Sequence, residues 1–146
     1  MWDNILEKKI TSLLKENNLQ KHQIEKLESE RIQDMDNLFK DLIGVVDVFE
    51  KSEKIIQERE LDKLEETQKA INRILLAKKK LLSVLENNGV KKIEFPDNML
   101  DDDKCIVAET MPDTNHPNNF VLEIIKNGYY RAERVLRRSE VVIVKN

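Results

Sequence analysis

Apolar side chains in the first third of the chain recur every three or four residues, the spacing of one face of a helix. The stripe predicts a long helix whose apolar seam forms a coiled coil with a second copy of the chain. The step from Ile24 to Met35 is eleven residues, a stutter that locally unwinds such a supercoil. The predicted dimer interface comprises Ile10, Leu13, Ile24, Leu27, Met35, Leu38, Leu42, Val45 and Phe49.

A second apolar stripe runs from Leu61 to Leu85 and is wider, which is typical of a helix in a bundle. The change of pattern between Glu53 and Lys63 predicts a turn there, although that stretch holds neither glycine nor proline. We expect the second helix to end at Asn87-Asn88-Gly89, because glycine readily adopts the left-handed conformation found just after helix ends.

After Gly89 the pattern shortens into runs that are typical of strands. These runs are residues 91–95, 106–111, 119–126, 129–136 and 140–145. Asn127 and Gly128 stand between two of them and predict a two-residue hairpin turn, since both residues tolerate a positive φ.

Together these patterns predict an α+β protein, in which a long N-terminal coiled-coil helix and a helical hairpin form a dimeric bundle that precedes a small C-terminal β-domain. The predicted boundaries are 1–40 for the long helix, 41–89 for the bundle and 90–146 for the β-domain. The helix-breaking residues support the same division: all three prolines and two of the three glycines lie at or after residue 89.

Composition narrows the possible partners and compartments. A net charge of −3 gives no general electrostatic reason to bind nucleic acid or an anionic membrane. The single cysteine, Cys105, excludes an internal disulfide, and no basic segment with an apolar run opens the chain. We therefore expect a cytoplasmic protein that binds neither nucleic acid nor membrane.

Few residues are of types that catalyse reactions or bind metals, and we expect no catalytic site, metal or cofactor. Cys105 is predicted to be a small buried hydrophobe, and His22 and His116 are predicted to face solvent. The run of aspartates at 101–103 lacks the alternating ligands of a calcium loop and predicts a solvated turn. Two interpretations remain open for the basic cluster of the β-domain, a solvated face or a partner surface; its members are Arg131, Arg134, Arg137 and Arg138.

Four segments of the chain carry motifs of one known protein family. Residues 128–143 follow its C-terminal signature of Gly-aromatic, aliphatic-Arg, a small residue and alternating aliphatics. Residues 41–47 resemble the family's acidic-Leu-Leu-Pro-Val-aliphatic-Asp stretch, and Leu100 with Asp101 resembles the Leu-Asp pair that opens the other half of the signature. Residues 82–90 resemble the helix end that precedes the family's β-domain. Over about residues 38–146 the chain thus resembles the GrpE family of nucleotide exchange factors. Because Cys105, Arg73 and Lys51 depart from the family's usual residues, the resemblance is to a divergent or N-terminally shortened member.

This resemblance implies a homodimeric co-chaperone that binds the nucleotide-binding domain of a DnaK-type chaperone and promotes ADP release. It also implies which positions touch the chaperone, two on the bundle and the others on the β-domain. These positions are Lys51, Ile55, Leu100, Asp102, Ile125, Asn127 and Ile143.

Two non-enzymatic alternatives compete with exchange activity. A coiled-coil tether or scaffold would explain residues 1–88 but not the signature at 128–143. A holding chaperone of the prefoldin kind places its hairpins between two helices, whereas both predicted helices here precede the strands.

The apolar seam predicts a parallel homodimer, because one isolated helix cannot bury such a stripe. Light scattering at micromolar concentration is expected to give about 34 kDa, twice the 17.2 kDa of one chain. A mass near 17 kDa would contradict the prediction.

Overall fold

The structure, a computed structural model, describes residues 1–146. Helix α1 spans Trp2–Glu58 and helix α2 spans Glu65–Asn87, with a 3-10 turn at Leu61–Lys63 between them. Six strands follow: β1 Val90–Lys92, β2 Cys105–Met111, β3 Val121–Lys126, β4 Tyr129–Arg131, β5 Arg134–Arg137 and β6 Ser139–Val144. The predicted α+β class and the order of its elements are confirmed, and the chain forms two compact units, Met1–Asn37 and Leu38–Asn146.

The first unit consists of the N-terminal part of α1. Its predicted seam residues Ile10, Leu13, Ile24 and Leu27 are between 50% and 63% exposed within a single chain. Their role in a dimer interface stays a prediction, as do the domain boundaries.

The turn between the helices is formed without glycine or proline. Glu60 takes the left-handed conformation at φ 52°, and its Oε1 accepts a hydrogen bond from Lys63 Nζ at 2.6 Å. The Thr67 hydroxyl donates to the backbone oxygens of Leu61 at 2.5 Å and Leu64 at 3.0 Å. Side chains thus hold a turn at 59–64 that the pattern change predicted only approximately.

Helix α2 ends as predicted. Gly89 has φ 81°, and the Asn88 N–H donates to the carbonyls of Val84 and Leu85 at 3.2 and 3.1 Å. The left-handed residue lets the chain leave the helix and enter β1 directly.

The strands form two three-stranded sheets. The first has the order β1-β4-β5 and is antiparallel. In the second, β6 lies between β2, to which it is parallel, and β3, to which it is antiparallel. The second sheet has a core of Cys105, Val121, Val141 and Ile143, against which Phe95 and Leu100 pack.

The hairpin predicted at Asn127 and Gly128 is wrong. Strands β3 and β4 belong to different sheets, and Gly128 does not have a positive φ. The hairpin lies instead between β4 and β5, where Ala132 has φ 52°, so the run predicted as one strand at 129–136 is two.

Gly128 is required for close approach rather than for a turn. A Cβ at this position would lie 2.5 Å from the backbone nitrogen of Ser139 and 2.8 Å from the carbonyl oxygen of Arg137. The Gly128 N–H donates to the buried Ser139 hydroxyl at 2.9 Å. The small residue of the C-terminal signature therefore accommodates the glycine backbone where the chain passes from one sheet to the other.

The predicted burial of Cys105 is confirmed. Burial raises the pKa of the Cys105 thiol, which donates to the Asp101 carbonyl at 2.9 Å. The His116 side chain, predicted to face solvent, is 40% exposed: its ring also stacks on Phe120 at 4.2 Å, and its Nδ1 lies 2.7 Å from Asp113 Oδ2. His22 lies on the exposed surface of α1, as predicted.

We expect Gly128→Ala to destabilise the protein by about 1–3 kcal/mol or more, because the added methyl meets backbone atoms that cannot easily move. Gly44→Ala is the matched control, since its Cβ would meet no atom within 4 Å and lies within α1. That variant should gain about 0.5–1 kcal/mol from helix propensity. Urea unfolding measures both, and equal effects of the two variants would contradict this account.

We expect Tyr129→Phe to be at least as stable as the wild type at neutral pH. The Tyr129 hydroxyl is buried without a hydrogen-bond partner, so its removal relieves a desolvation cost. Burial also raises the pKa of Tyr129 to about 12, whereas an unfolded tyrosine ionises near about 10. The folded state therefore retains a proton that the unfolded state loses, and stability falls as pH rises through this interval.

Because phenylalanine cannot ionise, the stability of Tyr129→Phe relative to the wild type should increase from pH 9 to 11.5. Denaturant titrations at several pH values measure the difference, with Tyr130→Phe as a control for loss of a phenol from the same strand. A pH-independent difference would show that Tyr129 ionises equally in both states.

Candidate partner-binding surface

The part of α1 within the second unit carries two neighbouring apolar lines. Phe39, Ile43 and Val46 are buried within the chain. The predicted seam residues Leu38 and Val45 remain about half exposed, at 50% and 45%. The intrachain fold therefore uses one line and leaves the adjacent one on the surface.

The C-terminal part of α1 is joined to the β-domain by a bidentate ion pair. Arg137 at the end of β5 donates from Nη1 to Asp47 Oδ2 at 2.5 Å and from Nη2 to Asp47 Oδ1 at 2.7 Å. Both side chains are largely shielded, with 21% and 25% of their surfaces exposed. A bidentate arginine-carboxylate pair fixes orientation as well as distance, because its two hydrogen bonds are parallel.

The connection between β3 and β4 contacts the same Arg137–Asp47 ion pair. The Asn127 backbone oxygen accepts from Arg137 Nε at 3.1 Å and from Nη2 at 2.5 Å. The Asn127 side chain donates to both carboxylate oxygens of Glu50, at 3.0 and 3.1 Å. We call Asp47, Glu50, Asn127 and Arg137 the joint network; Lys126 lies at its edge, 3.9 Å from Asp47.

The four arginines of the basic cluster do not form one surface. Arg137 belongs to the joint network, and Arg131 donates from Nε to the Asn88 carbonyl at 3.1 Å. The Arg131 guanidinium also lies over the Phe39 ring, 4.9 Å from its centre. Within the chain, these two arginines bind the helices to the β-domain.

Leu100 and Asp102 lie where the chain enters β2. Leu100 packs against the core of the second sheet, whereas Asp102 is exposed. Asp101 holds the turn by accepting from the Asp103 N–H at 3.1 Å and from Lys104 Nζ at 2.9 Å. The Lys104 hydrogen bond lowers the pKa of Asp101. The aspartate run is thus a turn built around one of its members.

The seven predicted contact residues lie in different surroundings. Lys51 and Ile55 are exposed on α1, and Ile125 is exposed on β3. Asn127 is half-buried against α1, which brings its connection beside the helix that carries Lys51. Ile143 is only 5% exposed and lies with Leu100 at the core of the second sheet, so its side chain supports the surface from within.

Sequence reasoning did not single out Asp47 and Glu50, and it did not identify the partner of Arg137. Asp47 and Arg137 nevertheless both stand in the quoted motifs, Asp47 at the end of residues 41–47 and Arg137 within residues 128–143. The opposite charges of Asp47 and Arg137, one in each motif, were the sequence signal that could have predicted their pairing.

A groove of about 740 Å³ lies beside the joint network, between the helices and the first sheet. Its lining includes the apolar side chains of Leu82, Leu85, Ile93 and Tyr129 and the charged side chains of Glu50 and Lys78. Lys78 also pairs with Glu53, linking α2 to α1. No group of three or more His, Cys, Asp or Glu side chains is arranged to hold a metal ion, and neither helix is long and apolar enough to cross a membrane.

Comparison with known proteins identifies relatives of this chain. The sequence profile of the GrpE family matches residues 3–145. Protein GrpE of Chlorobaculum parvum is 30% identical over 113 residues, which is 76% of this chain and 57% of that protein. Protein GrpE of Francisella tularensis is 30% identical over 107 residues, 73% of this chain and 52% of that protein. Protein GrpE of Agrobacterium fabrum is 35% identical over 75 residues, 51% of this chain and 36% of that protein.

The matched part of the chain thus spans between 36% and 57% of the length of these relatives. The family profile, in contrast, extends over both helices and all six strands, including every member of the joint network. The chain belongs to the GrpE family.

Proposed function

We propose that this protein is a co-chaperone that acts as a nucleotide exchange factor, binding the nucleotide-binding domain of a DnaK-type chaperone and promoting ADP release. The observation that carries the proposal is the family match over residues 3–145. That match includes both parts of the chain from which the contact residues come. The proposal places the protein in the cytoplasm as a homodimer.

Exchange of this kind requires no bond-making chemistry from the exchange factor. A partner that binds the open form of a nucleotide site more tightly than the closed form shifts the population towards the open form. By linkage, binding of the exchange factor and binding of ADP then weaken each other. In this proposal the protein is not an enzyme, and its effect depends only on differential affinity.

The proposed contact surface combines the exposed helix face with the β-domain. Ile125 is an apolar side chain that is 52% exposed on β3, and such a side chain contributes most when a partner removes it from water. Lys51 and Ile55 lie one turn apart on α1 and would supply the helical part of the surface. Leu100, Asp102 and Asn127 complete the proposed set, with Ile143 as their support in the core.

Release of a fluorescent ADP analogue from a DnaK-type chaperone tests the proposal. Wild-type protein should accelerate release and should not itself hydrolyse ATP. Ile125→Asp should reduce the acceleration by about tenfold or more, because a buried charge replaces an apolar contact.

Ile106→Asp is the matched control, since Ile106 is also 52% exposed but lies on β2 outside the proposed contact set. Circular dichroism establishes that both variants fold. If wild-type protein leaves ADP release unchanged, the exchange proposal fails and a tether remains. If the two variants lose activity equally, the contact surface has been misplaced.

A further inference from the structure

The joint network connects the two halves of the proposed contact surface and shares Asn127 with one of them. Asp47, Lys51 and Ile55 are spaced at i, i+4 and i+8 on α1, so they lie on one face of the helix. Glu50, which precedes Lys51, accepts from Asn127, which follows β3 and its exposed Ile125. The network therefore links the segment of α1 that carries Lys51 to the segment of the β-domain that carries Ile125.

The donors of Arg137 that the structure places in this network are directed inward. Nε and Nη2 bind the Asn127 carbonyl, while Nη1 and Nη2 bind Asp47. The guanidinium also lies over the buried Tyr129 ring, 5.7 Å from its centre. Arg137 is thus suited to orienting other residues.

The network is built of directional contacts. Hydrogen bonds define angles, whereas apolar contacts permit sliding, so the bidentate pair limits rotation of the β-domain about the helix. A surface made of two parts binds a rigid partner more tightly when the parts are already in register, because less conformational entropy is lost on binding.

We propose that Asp47, Glu50 and Arg137 are positioning residues that hold α1 and the β-domain in the relative orientation needed to bind the chaperone with both halves at once. The inference rests on the proposed exchange function. It assigns to these three residues an effect on partner affinity that is transmitted through Asn127 and the helix.

A double-mutant cycle on chaperone affinity provides the test. Asp47→Asn removes a charge and preserves shape, whereas Arg137→Gln replaces the guanidinium by a shorter neutral amide. Each should weaken binding of nucleotide-free DnaK-type chaperone by roughly tenfold to a hundredfold. The double variant should bind about as weakly as either single variant, because both substitutions disrupt the same ion pair. Glu53→Gln is the matched control, a carboxylate-to-amide change on the same helix that affects only the pair with Lys78.

Spin-label distances provide a readout that does not need the partner. Spin labels are attached through Gln57→Cys and Glu133→Cys in a Cys105→Ser background, and the labelled protein is diluted with unlabelled chain. The distance between the two labels reports the orientation of the β-domain relative to α1. The distance distribution should be narrow in the wild type and in Glu53→Gln and broad in Asp47→Asn. Glu50→Gln, which retains the ion pair, should give an intermediate width and supplies a milder variant should the others fail to fold.

The outcomes separate this inference from the exchange proposal. Additive losses in the cycle would show that Arg137 or Asp47 contacts the partner directly, which overturns the positioning role. Variants with broad distances and unchanged affinity would also overturn it while leaving exchange intact. Failure of the wild type to bind the chaperone would overturn the exchange function and this inference with it.

Discussion

The ion pair between Arg137 and Asp47 is the contact on which the arrangement of the second unit depends. The two residues are ninety positions apart in the chain, and one lies on the long helix while the other ends β5. Arg137 also binds the Asn127 backbone, so one guanidinium holds a helix and an interstrand connection together. Because the pair is largely shielded from water, its attraction is less screened than that of a surface salt bridge, and loss of one partner would leave the other charge poorly solvated.

A steric constraint next to this ion pair has equal influence on the β-domain. The chain crosses from the second sheet to the first at Gly128, whose backbone lies too close to Ser139 and Arg137 for any side chain. Ser139 begins β6, the central strand of the second sheet, and Arg137 ends β5 of the first. Glycine at 128 and a small residue at 139 therefore let the two sheets meet, and they bring the Arg137 side chain to the helix.

The helix α1 shows how one sequence can carry two interfaces. Residues 39, 43 and 46 face the interior of the second unit, while the neighbouring positions 38, 42 and 45 form the predicted seam. A helix has 3.6 residues per turn, so adjacent apolar lines can face different partners. The intrachain line is filled by the fold, and the other stays available for the predicted dimer.

Local signals in the sequence determined the helices, the end of α2 just before Gly89, the approximate positions of most strands and the family. These features depend on side-chain period, backbone preference and short motifs, which act over a few residues. The tertiary structure alone decided that Gly128 relieves a clash instead of forming a hairpin, that Ile143 lies in the core, and that Arg131 and Arg137 turn inward. Each of these outcomes depends on which distant segment lies opposite, as with Ser139 opposite Gly128 and Asp47 opposite Arg137. Periodicity along the chain carries no information about such pairings, because they form only when sheets and helices pack together.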